Sequence, residues 1–340
     1  MRNQKGKVHN YRANMRKDFE KNQKVRRKKL FILVGLAVVL VIGGIGIYSA
    51  FSPKGENKEA AAAQNNGQDD KDNKKSSDKS GDGNPPTKEE SNLDNSGYIP
   101  LKDDPNAEDA KVVADRTLGL QKGNLHYPVR DDGKKVVYLT FDDGPSTTNT
   151  PEILDILKEN DVKATFFVTG KSVEANDTAK SLLKREASEG HAIANHSYSH
   201  EYKYLYPNRV INPDNFMEEY NKTNNLLKET LGKDFSTTTV RFPGGYWSWN
   251  GRESIRPTLD KEGIAIAEWN ALNGDAEGNG KSTPEQLVQK TKKTVTELGP
   301  NADSVIFLMH DTYGKGNTVK ALPEIIEFFK SEGYEFKTMK

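Results

Sequence analysis

Residues 135–145 read KVVYLTFDDGP, an apolar run that ends in two adjacent carboxylates and a Gly-Pro turn. Its β-branched and aromatic residues predict a buried strand over 135–141. Similar short runs recur along the chain and predict further strands, about seven in total. They are ATFFVTG (164–170), HAIAN (191–195), TTVRF (238–242), IAIAEWN (264–270), SVIFLMH (304–310) and YEFKTM (334–339).

Helical patterns separate these strands. Thr150 is expected to cap the first helix, with Pro151 in its first turn, and Thr283 and Pro284 open a later one. Glycines stand where helices should end, at Gly190, Gly232, Gly263 and Gly333. Alternation of strands and helices predicts an α/β fold with a parallel sheet. Its seven units favour a closed or nearly closed β/α barrel over an open doubly wound sheet, which is the alternative.

The chemically distinctive residues fall at the predicted C-terminal ends of strands. TFDDGP ends the first strand, NHSYSH the third, RFPGG the fourth and MHD the sixth, while NGDA (273–276) follows the fifth. Barrel enzymes place their chemistry on this face of the sheet. We therefore expect these five segments to meet in one site.

Taken singly, these residues have ordinary explanations. Asp142 and Asp143 suit a polar turn, His310 suits a buried core position, and Arg241 suits a surface ion pair. The spacing of the two histidines in HSYSH (196–200) can present both imidazoles to one ion. With an aspartate they would form three protein ligands and leave a fourth position open for water, as in a catalytic zinc-type site.

The tryptophans all lie beside these segments. Trp269 lies inside a predicted strand and is expected in the core. Trp247 and Trp249 follow a Gly-Gly turn and are candidates for a sugar-binding groove, although tryptophan is also a common core residue.

The chain before the barrel has a different composition. Residues 1–29 carry twelve Lys/Arg against Asp18 and Glu20, so the rest of the chain is acidic overall, which excludes a generally basic nucleic-acid binder. The absence of cysteine excludes a disulfide scaffold and a thiol nucleophile. Residues 30–51 are uncharged and long enough to cross a bilayer.

The flanking charges predict a membrane orientation. The basic arm over 1–29 should stay cytoplasmic, residues 30–51 should form a transmembrane helix, and everything after it should be extracellular. A cleaved secretory signal is the alternative. Residues 52–110 are rich in Lys, Asp, Asn, Ser and Gly and predict a disordered linker, which leaves 111–340 for the catalytic domain.

The motifs TFDDGP, HSYSH, RFPGG, GDA and LMH, in this order, resemble those of polysaccharide deacetylases of carbohydrate esterase family 4, which carry a NodB homology domain. The resemblance covers roughly 120–340 and implies a distorted (β/α) barrel. It also implies hydrolysis of the N-acetyl group of N-acetylglucosamine with one divalent metal, with zinc expected and cobalt or nickel as alternatives.

The resemblance also implies a role for each matching residue. Asp143, His196 and His200 would hold the metal. Asp142 would be the general base, oriented by Arg241, and His310 the general acid, tuned by Asp275. Leu308 would line the pocket for the acetyl methyl group. The remaining expected substrate contacts are Gly245, Tyr246, Trp247 and Trp249.

Two departures from the family pattern affect the groove. Ala276 stands where a tryptophan usually follows the motif-four aspartate, and the third motif has Gly244 in place of a tyrosine. The expected substrate is peptidoglycan. Alternatives are another surface polysaccharide, a chitin-type oligomer, N-acetylmuramic acid, or a catalytically dead sugar-binding module. A metallopeptidase is disfavoured because no H-E-x-x-H sequence is present.

Overall fold

The structure is a computed structural model that describes residues 97–121, 130–278, 280–300 and 302–340. The strands in these ranges are β1 (Ala107–Glu108), β2 (Lys135–Asp142), β3 (Thr165–Val168), β4 (Ala192–Asn195), β5 (Thr239–Val240), β6 (Ala265–Ile266), β7 (Ala271–Leu272), β8 (Ser304–His310), β9 (Tyr334–Phe336) and β10 (Thr338–Met339). The α-helices are α1 (Ala110–Gln121), α2 (Thr150–Glu159), α3 (Gly170–Glu174), α4 (Asp177–Ser188), α5 (Tyr202–Leu205), α6 (Pro213–Leu231), α7 (Arg252–Lys261), α8 (Pro284–Glu297) and α9 (Gly316–Ser331).

The main sheet is parallel and follows the order β6-β5-β4-β3-β2-β8-β7, with β9 added beside β2. If the two ends of this order, β6 and β7, are placed next to each other, the strands follow one another around a ring in chain order from β2 to β8. A singly wound barrel has this arrangement. A doubly wound sheet would instead reverse its strand order at a switch point. The fold is therefore a distorted (β/α) barrel, and the open-sheet alternative is wrong.

The predicted strand over 264–270 is the main correction to the sheet. Its first part forms β6, which pairs with β5, and the chain then crosses to form β7, which pairs with β8. These two short strands lie at opposite ends of the strand order, and residues 267–270 connect them. The NGDA segment consequently follows β7 rather than the predicted fifth strand.

Alternate residues of β2 face two different cores, as the period of a strand requires. Val136 and Tyr138 belong to a cluster that also draws on Phe167, Ala194 and Ile306 from three other strands, so this cluster fills the barrel interior. The intervening residues of β2 pack with the surrounding helices. Continuing the inward series along β2 leads to Thr140 and then Asp142, at the C-terminal end of the strand.

Described residues before the predicted boundary at residue 111 also pack on the domain. Tyr98 is buried and packs edge-on against Phe235, and β1 pairs with β10 near the C-terminus. Ala110 in α1 joins the interior cluster. Residues 97–110 of the predicted linker are thus part of the folded unit.

Helix ends mostly follow the predicted signals. Thr283 forms a capping box with Gln286. Asn149, and not Thr150, precedes the first turn of α2, and the Thr150 hydroxyl instead accepts a hydrogen bond from the Ser146 amide. Among the described residues, no helix is long and apolar enough to cross a bilayer. The predicted basic arm, transmembrane helix at 30–51 and linker over 52–96 lie outside the described residues.

Candidate active site

Three side chains from two strand ends converge. Asp143 follows β2, while His196 and His200 follow β4. Asp143 Oδ1 lies 3.4 Å from His196 Nε2 and 3.3 Å from His200 Nε2. One ligand atom from each of the three residues lies within 4.8 Å of the others. The sequence-predicted metal ligands are thus brought together.

Backbone geometry aims these side chains. Asp143, Ser197 and His200 have φ values of 74°, 64° and 57°, in the left-handed region that non-glycine residues seldom adopt. The Ser197 amide donates to the Asn195 side chain, and the His200 amide donates to the Ser197 hydroxyl. These bonds hold the turn that returns His200 beside His196.

The tautomer of His196 follows from its partner. Its Nδ1 lies 2.8 Å from the backbone carbonyl oxygen of Arg241, which can only accept a hydrogen bond. Nδ1 therefore carries the proton, and Nε2 presents its lone pair toward Asp143. Metal-bound histidines characteristically have a second partner of this kind on the other ring nitrogen.

The three residues fit a tetrahedral cation. Asp143 Oδ1 is buried and makes no hydrogen bond to the described residues, which would be costly for a carboxylate without a positive partner. Two atoms bound at about 2.0–2.1 Å to one tetrahedral zinc lie about 3.3–3.4 Å apart. The separations of Asp143 Oδ1 from the two imidazole nitrogens match this value.

The electrostatics of the cluster also favour a cation. Burial acts to raise the pKa of Asp143, but His196 and His200 outweigh it and hold that pKa well below its ordinary value. Burial acts to lower the pKa of both histidines; the charges of Asp142 and Asp143 reverse the direction for His196, whereas burial and the charge of His196 lower the pKa of His200. Two carboxylates therefore place negative charge beside the two imidazoles, as a cation site requires.

Asp142 lies at the end of β2 and is held by a buried arginine. Arg241 donates from Nη1 to Asp142 Oδ1 at 2.7 Å and to the Thr140 hydroxyl at 2.8 Å. Its Nε donates to the carbonyl of Ala267, and its guanidinium lies over the ring of Phe167. The surface role considered for an isolated arginine is wrong, since Arg241 is fully buried. Asp142 Oδ2 lies 3.7 Å from His196 Nε2.

His310 ends β8, directly beside Asp142 in the sheet register. Its Nδ1 lies 2.8 Å from Asp275 Oδ1, and its amide donates to Asp275 Oδ2. The Thr318 hydroxyl also donates to Asp275 Oδ2. Burial acts to lower the pKa of His310, but Asp275 reverses this and raises the pKa to about 9. Thr318 carried no signal in the sequence, because it lies in helix α9.

A buried carboxyl group supports the turn that carries Asp143. Gly144 leaves no room for a Cβ, which would lie about 2.1 Å from Asp311 Oδ2. The Thr150 hydroxyl donates to that oxygen at 2.5 Å. Burial and the charge of Asp143 raise the pKa of Asp311 to about 7. Burial, and after it the charge of Asp311, raises the pKa of Glu186, whose carboxyl oxygens have no partner among the described residues.

The expected substrate contacts divide into two groups. Leu308 lies on the inward face of β8, two residues before His310, and is almost fully buried. Gly245 is packed against the Trp269 ring. Tyr246 and Trp249 are buried in the cluster under this loop, and their assignment to the groove stays a prediction.

Trp249 and Trp269 differ in burial from what the sequence predicts: Trp249 is buried, whereas Trp269 is partly exposed. Trp249 stacks on Tyr206 with ring centroids 4.1 Å apart, and its Nε1 donates to the Pro243 carbonyl. Trp269 is only partly buried, in the segment between β6 and β7, with the Arg241 guanidinium 5.7 Å from its ring. Trp247 is also partly buried, against the same cluster as Trp249.

Comparisons with known proteins agree on one family. The polysaccharide deacetylase family profile matches residues 129–257. A curated peptidoglycan-N-acetylglucosamine deacetylase from Bacillus cereus is 33% identical over 217 residues, covering 63% of this chain and 73% of that protein.

Solved structures give the same result. A CE4 esterase from Streptococcus mutans is 37% identical and has a TM-score of 0.61, with 69% of this chain and 92% of that chain covered. The catalytic domain of a peptidoglycan N-acetylglucosamine deacetylase from Eubacterium rectale is 30% identical and has a TM-score of 0.53, covering 62% and 91% of the two chains.

Proposed function

The chain belongs to the polysaccharide deacetylase family, and from this premise we propose that it hydrolyses the N-acetyl group of N-acetylglucosamine residues in peptidoglycan and releases acetate. The observation that carries the proposal is the convergence of Asp143, His196 and His200 beside the Asp142–Arg241 pair. The names of the relatives support the choice of polymer.

Asp143, His196 and His200 would hold one divalent cation, for which nitrogen and oxygen ligands of this kind favour zinc, with cobalt or nickel as alternatives. Such a cation, when bound, polarises the amide carbonyl and lowers the pKa of water. The protein contributes the fixed positions of the three ligands and the proton on His196 Nδ1.

Asp142 would accept the proton of the attacking water. Arg241 occupies Oδ1 of its carboxylate, so the second oxygen, on the side of His196, is the one available to a proton. The guanidinium also fixes the plane of the Asp142 carboxylate. Arg241 is a positioning residue in this reaction, because it acts on substrate only through Asp142.

His310 would donate a proton to the departing sugar nitrogen as the C–N bond breaks. Its raised pKa keeps the imidazole protonated near neutral pH, as this step requires. Asp275 holds Nδ1, which leaves Nε2 to face the substrate. In strand order β2 lies between β4 and β8, so the base stands between the ligand histidines and the acid.

The reaction is tested with full-length protein loaded with Zn²⁺ and incubated with purified sacculi, with muropeptides read by mass spectrometry. We expect chelator-sensitive loss of acetyl groups from N-acetylglucosamine. Soluble N-acetylglucosamine oligomers and N-acetylmuramic acid serve as comparison substrates. Deacetylation of those alone would reject peptidoglycan as the substrate, and no acetate release from any glycan would reject the reaction.

We also propose that residues 30–51 anchor the enzyme in the cell membrane, with residues 1–29 cytoplasmic and the catalytic domain extracellular on its linker. The uncharged length of 30–51 and its basic flank support this topology. Carbonate extraction of membranes and protease treatment of intact cells test it. Release of the catalytic domain by carbonate, or its protection from protease outside the cell, would contradict it.

A further inference from the structure

We propose that Tyr202 forms a binding platform for a pyranose ring of the glycan next to the reacting sugar, and so sets the KM for oligomeric substrates. The inference rests on the proposed function and adds a specific substrate contact. Neither the catalytic residues nor the expected groove residues include this side chain.

Tyr202 is exposed beside the ligand cluster. The residue is 42% exposed, although its ring centroid lies only 5.2 Å from that of His200. Its hydroxyl makes no hydrogen bond within the described part of the chain, so it is available to a sugar hydroxyl. An exposed aromatic face next to a buried polar site suits the apolar face of a pyranose.

Buried aromatic residues hold the platform in place. The Tyr202 ring lies 5.1 Å from Trp249, which is stacked on Tyr206 and anchored to the Pro243 carbonyl. Tyr202 is the first residue of α5, and its carbonyl accepts a hydrogen bond from the Tyr206 amide. An aromatic ring supported in this way loses little conformational entropy on binding.

The glycine at 244 supports the same assignment. Gly244 is exposed, has a φ of 74°, and would place a Cβ 3.1 Å from the Tyr202 hydroxyl oxygen and 3.2 Å from its Cζ. A side chain at 244 would therefore crowd the tip of the Tyr202 ring. With glycine there, the ring occupies the wall of the site and its hydroxyl stays accessible.

The test uses full-length protein with Tyr202→Ala, Tyr202→Leu and Tyr202→Phe. Tyr204→Ala is the matched control, since Tyr204 is 38% exposed on the same short helix but donates its hydroxyl hydrogen bond to Glu218. We expect Tyr202→Ala and Tyr202→Leu to raise the KM for N-acetylglucosamine oligomers by about tenfold with little change in kcat. Tyr202→Phe should stay within about threefold of wild type, and Tyr204→Ala should be unchanged.

Two further measurements separate binding from support of His200. Zinc content and hydrolysis of 4-nitrophenyl acetate, which has no sugar ring, should be the same in Tyr202→Ala and wild type. An unchanged KM for oligomers in both Tyr202→Ala and Tyr202→Leu would overturn the proposal. So would loss of zinc in parallel with activity, because that result assigns Tyr202 to positioning the ligand.

A direct measurement of oligomer binding makes this test independent of turnover. Calorimetry with the Asp142→Asn variant measures oligomer affinity without hydrolysis, and adding Tyr202→Ala should weaken it by about tenfold. If wild type releases no acetate yet Tyr202→Ala weakens oligomer binding, the proposed reaction is rejected and the proposed binding platform is supported. If acetate is released and Tyr202→Ala leaves the oligomer affinity unchanged, the proposed binding platform is rejected and the proposed reaction is supported.

Discussion

The two sides of the site are built in different ways. On the acid side, formed by Asp275 and His310, both oxygens of the Asp275 carboxylate have protein partners. On the ligand side, formed by Asp143, His196 and His200, a buried carboxylate oxygen has no hydrogen bond from the described residues. The acid side is therefore satisfied by protein groups alone, whereas the ligand side leaves one carboxylate oxygen for the proposed cation.

Backbone conformation shows the same difference. Asp143, Ser197 and His200 all have positive φ values, and each such residue costs on the order of 1 kcal/mol or more. Asp275 and His310 adopt ordinary conformations. The ligand side thus holds strain that cation binding can offset, and the acid side holds none of this kind.

The largest expected effect separates ligand from base. His200→Ala should lose both bound zinc and turnover, because it removes one of three ligands. Asp142→Asn should keep zinc and lower turnover by about 10²- to 10⁴-fold, because only the proton acceptor is lost. Metal analysis after gel filtration, with acetate release from oligomers, measures both. Equal zinc loss in the two variants would contradict the division of roles.

The acid side should control the alkaline limit of turnover. His310 is protonated below its pKa of about 9, so kcat should fall as pH rises through that value. Asp275→Asn removes the charge that raises this pKa, and the alkaline limb should move to lower pH. Turnover at neutral pH should fall on the order of 100-fold, while zinc content stays unchanged.

Thr318→Val is the matched control for that variant. It removes one hydrogen bond to Asp275 but keeps the carboxylate charge, so the alkaline limb should move much less. pH profiles of kcat for the three proteins make the comparison. An alkaline limb in Asp275→Asn that coincides with wild type would show that Asp275 does not tune His310.

Cation binding should stabilise the fold through the ligand side alone. Zinc at about 100 times its Kd should increase the free energy of unfolding by about 2.7 kcal/mol, which corresponds to a Tm rise of roughly 5–10 °C for a domain of this size. Asp275→Asn should retain the full rise and His200→Ala should lose it. Differential scanning fluorimetry with zinc or chelator measures the rise in Tm. A zinc-dependent rise in Tm that is retained in His200→Ala would contradict the assignment of cation binding to the ligand side.

The sequence predicted the convergence of the site because each motif lies at a strand end. Parallel strands bring their carboxyl ends to one face, so Asp142, His196, Arg241 and His310 could be placed together without knowledge of register. The ending of the predicted strand after β6 and the pairing of the following residues as β7 could not be predicted, because a short apolar run does not show which neighbours it pairs with.

Side-chain exposure was the other feature that the sequence did not predict. Trp249 follows a Gly-Gly turn and Trp269 lies in an apolar run, yet the first is buried and the second is partly exposed. Their difference depends on tertiary packing, in this case on Tyr206 and on the crossing from β6 to β7. Tyr202 had a usable signal, since an aromatic residue two positions after His200 lies close to any ion bound there.

The smallest expected effect concerns the carboxyl groups behind the ligand side. Burial, reinforced by Asp311, raises the pKa of Glu186 well above 4.5, so the folded protein holds a proton on this carboxyl more tightly than the unfolded chain does. The unfolded state then binds fewer protons, and stability falls as pH rises from about 4.5 through the folded pKa. Glu186→Leu removes this loss together with two unsatisfied oxygens.

Glu186→Leu should therefore raise the free energy of unfolding by about 1–3 kcal/mol at pH 7, with a smaller gain at pH 4.5. Glu186→Gln should remove the pH dependence while keeping a buried polar group, and Glu159→Leu, on the exposed face of α2, should change stability by less than about 0.5 kcal/mol. Urea unfolding at the two pH values measures all three. A gain for Glu186→Leu that is equal at both pH values would show that Glu186 is ionised in the folded state, and that the ligand side is supported by a charged carboxylate.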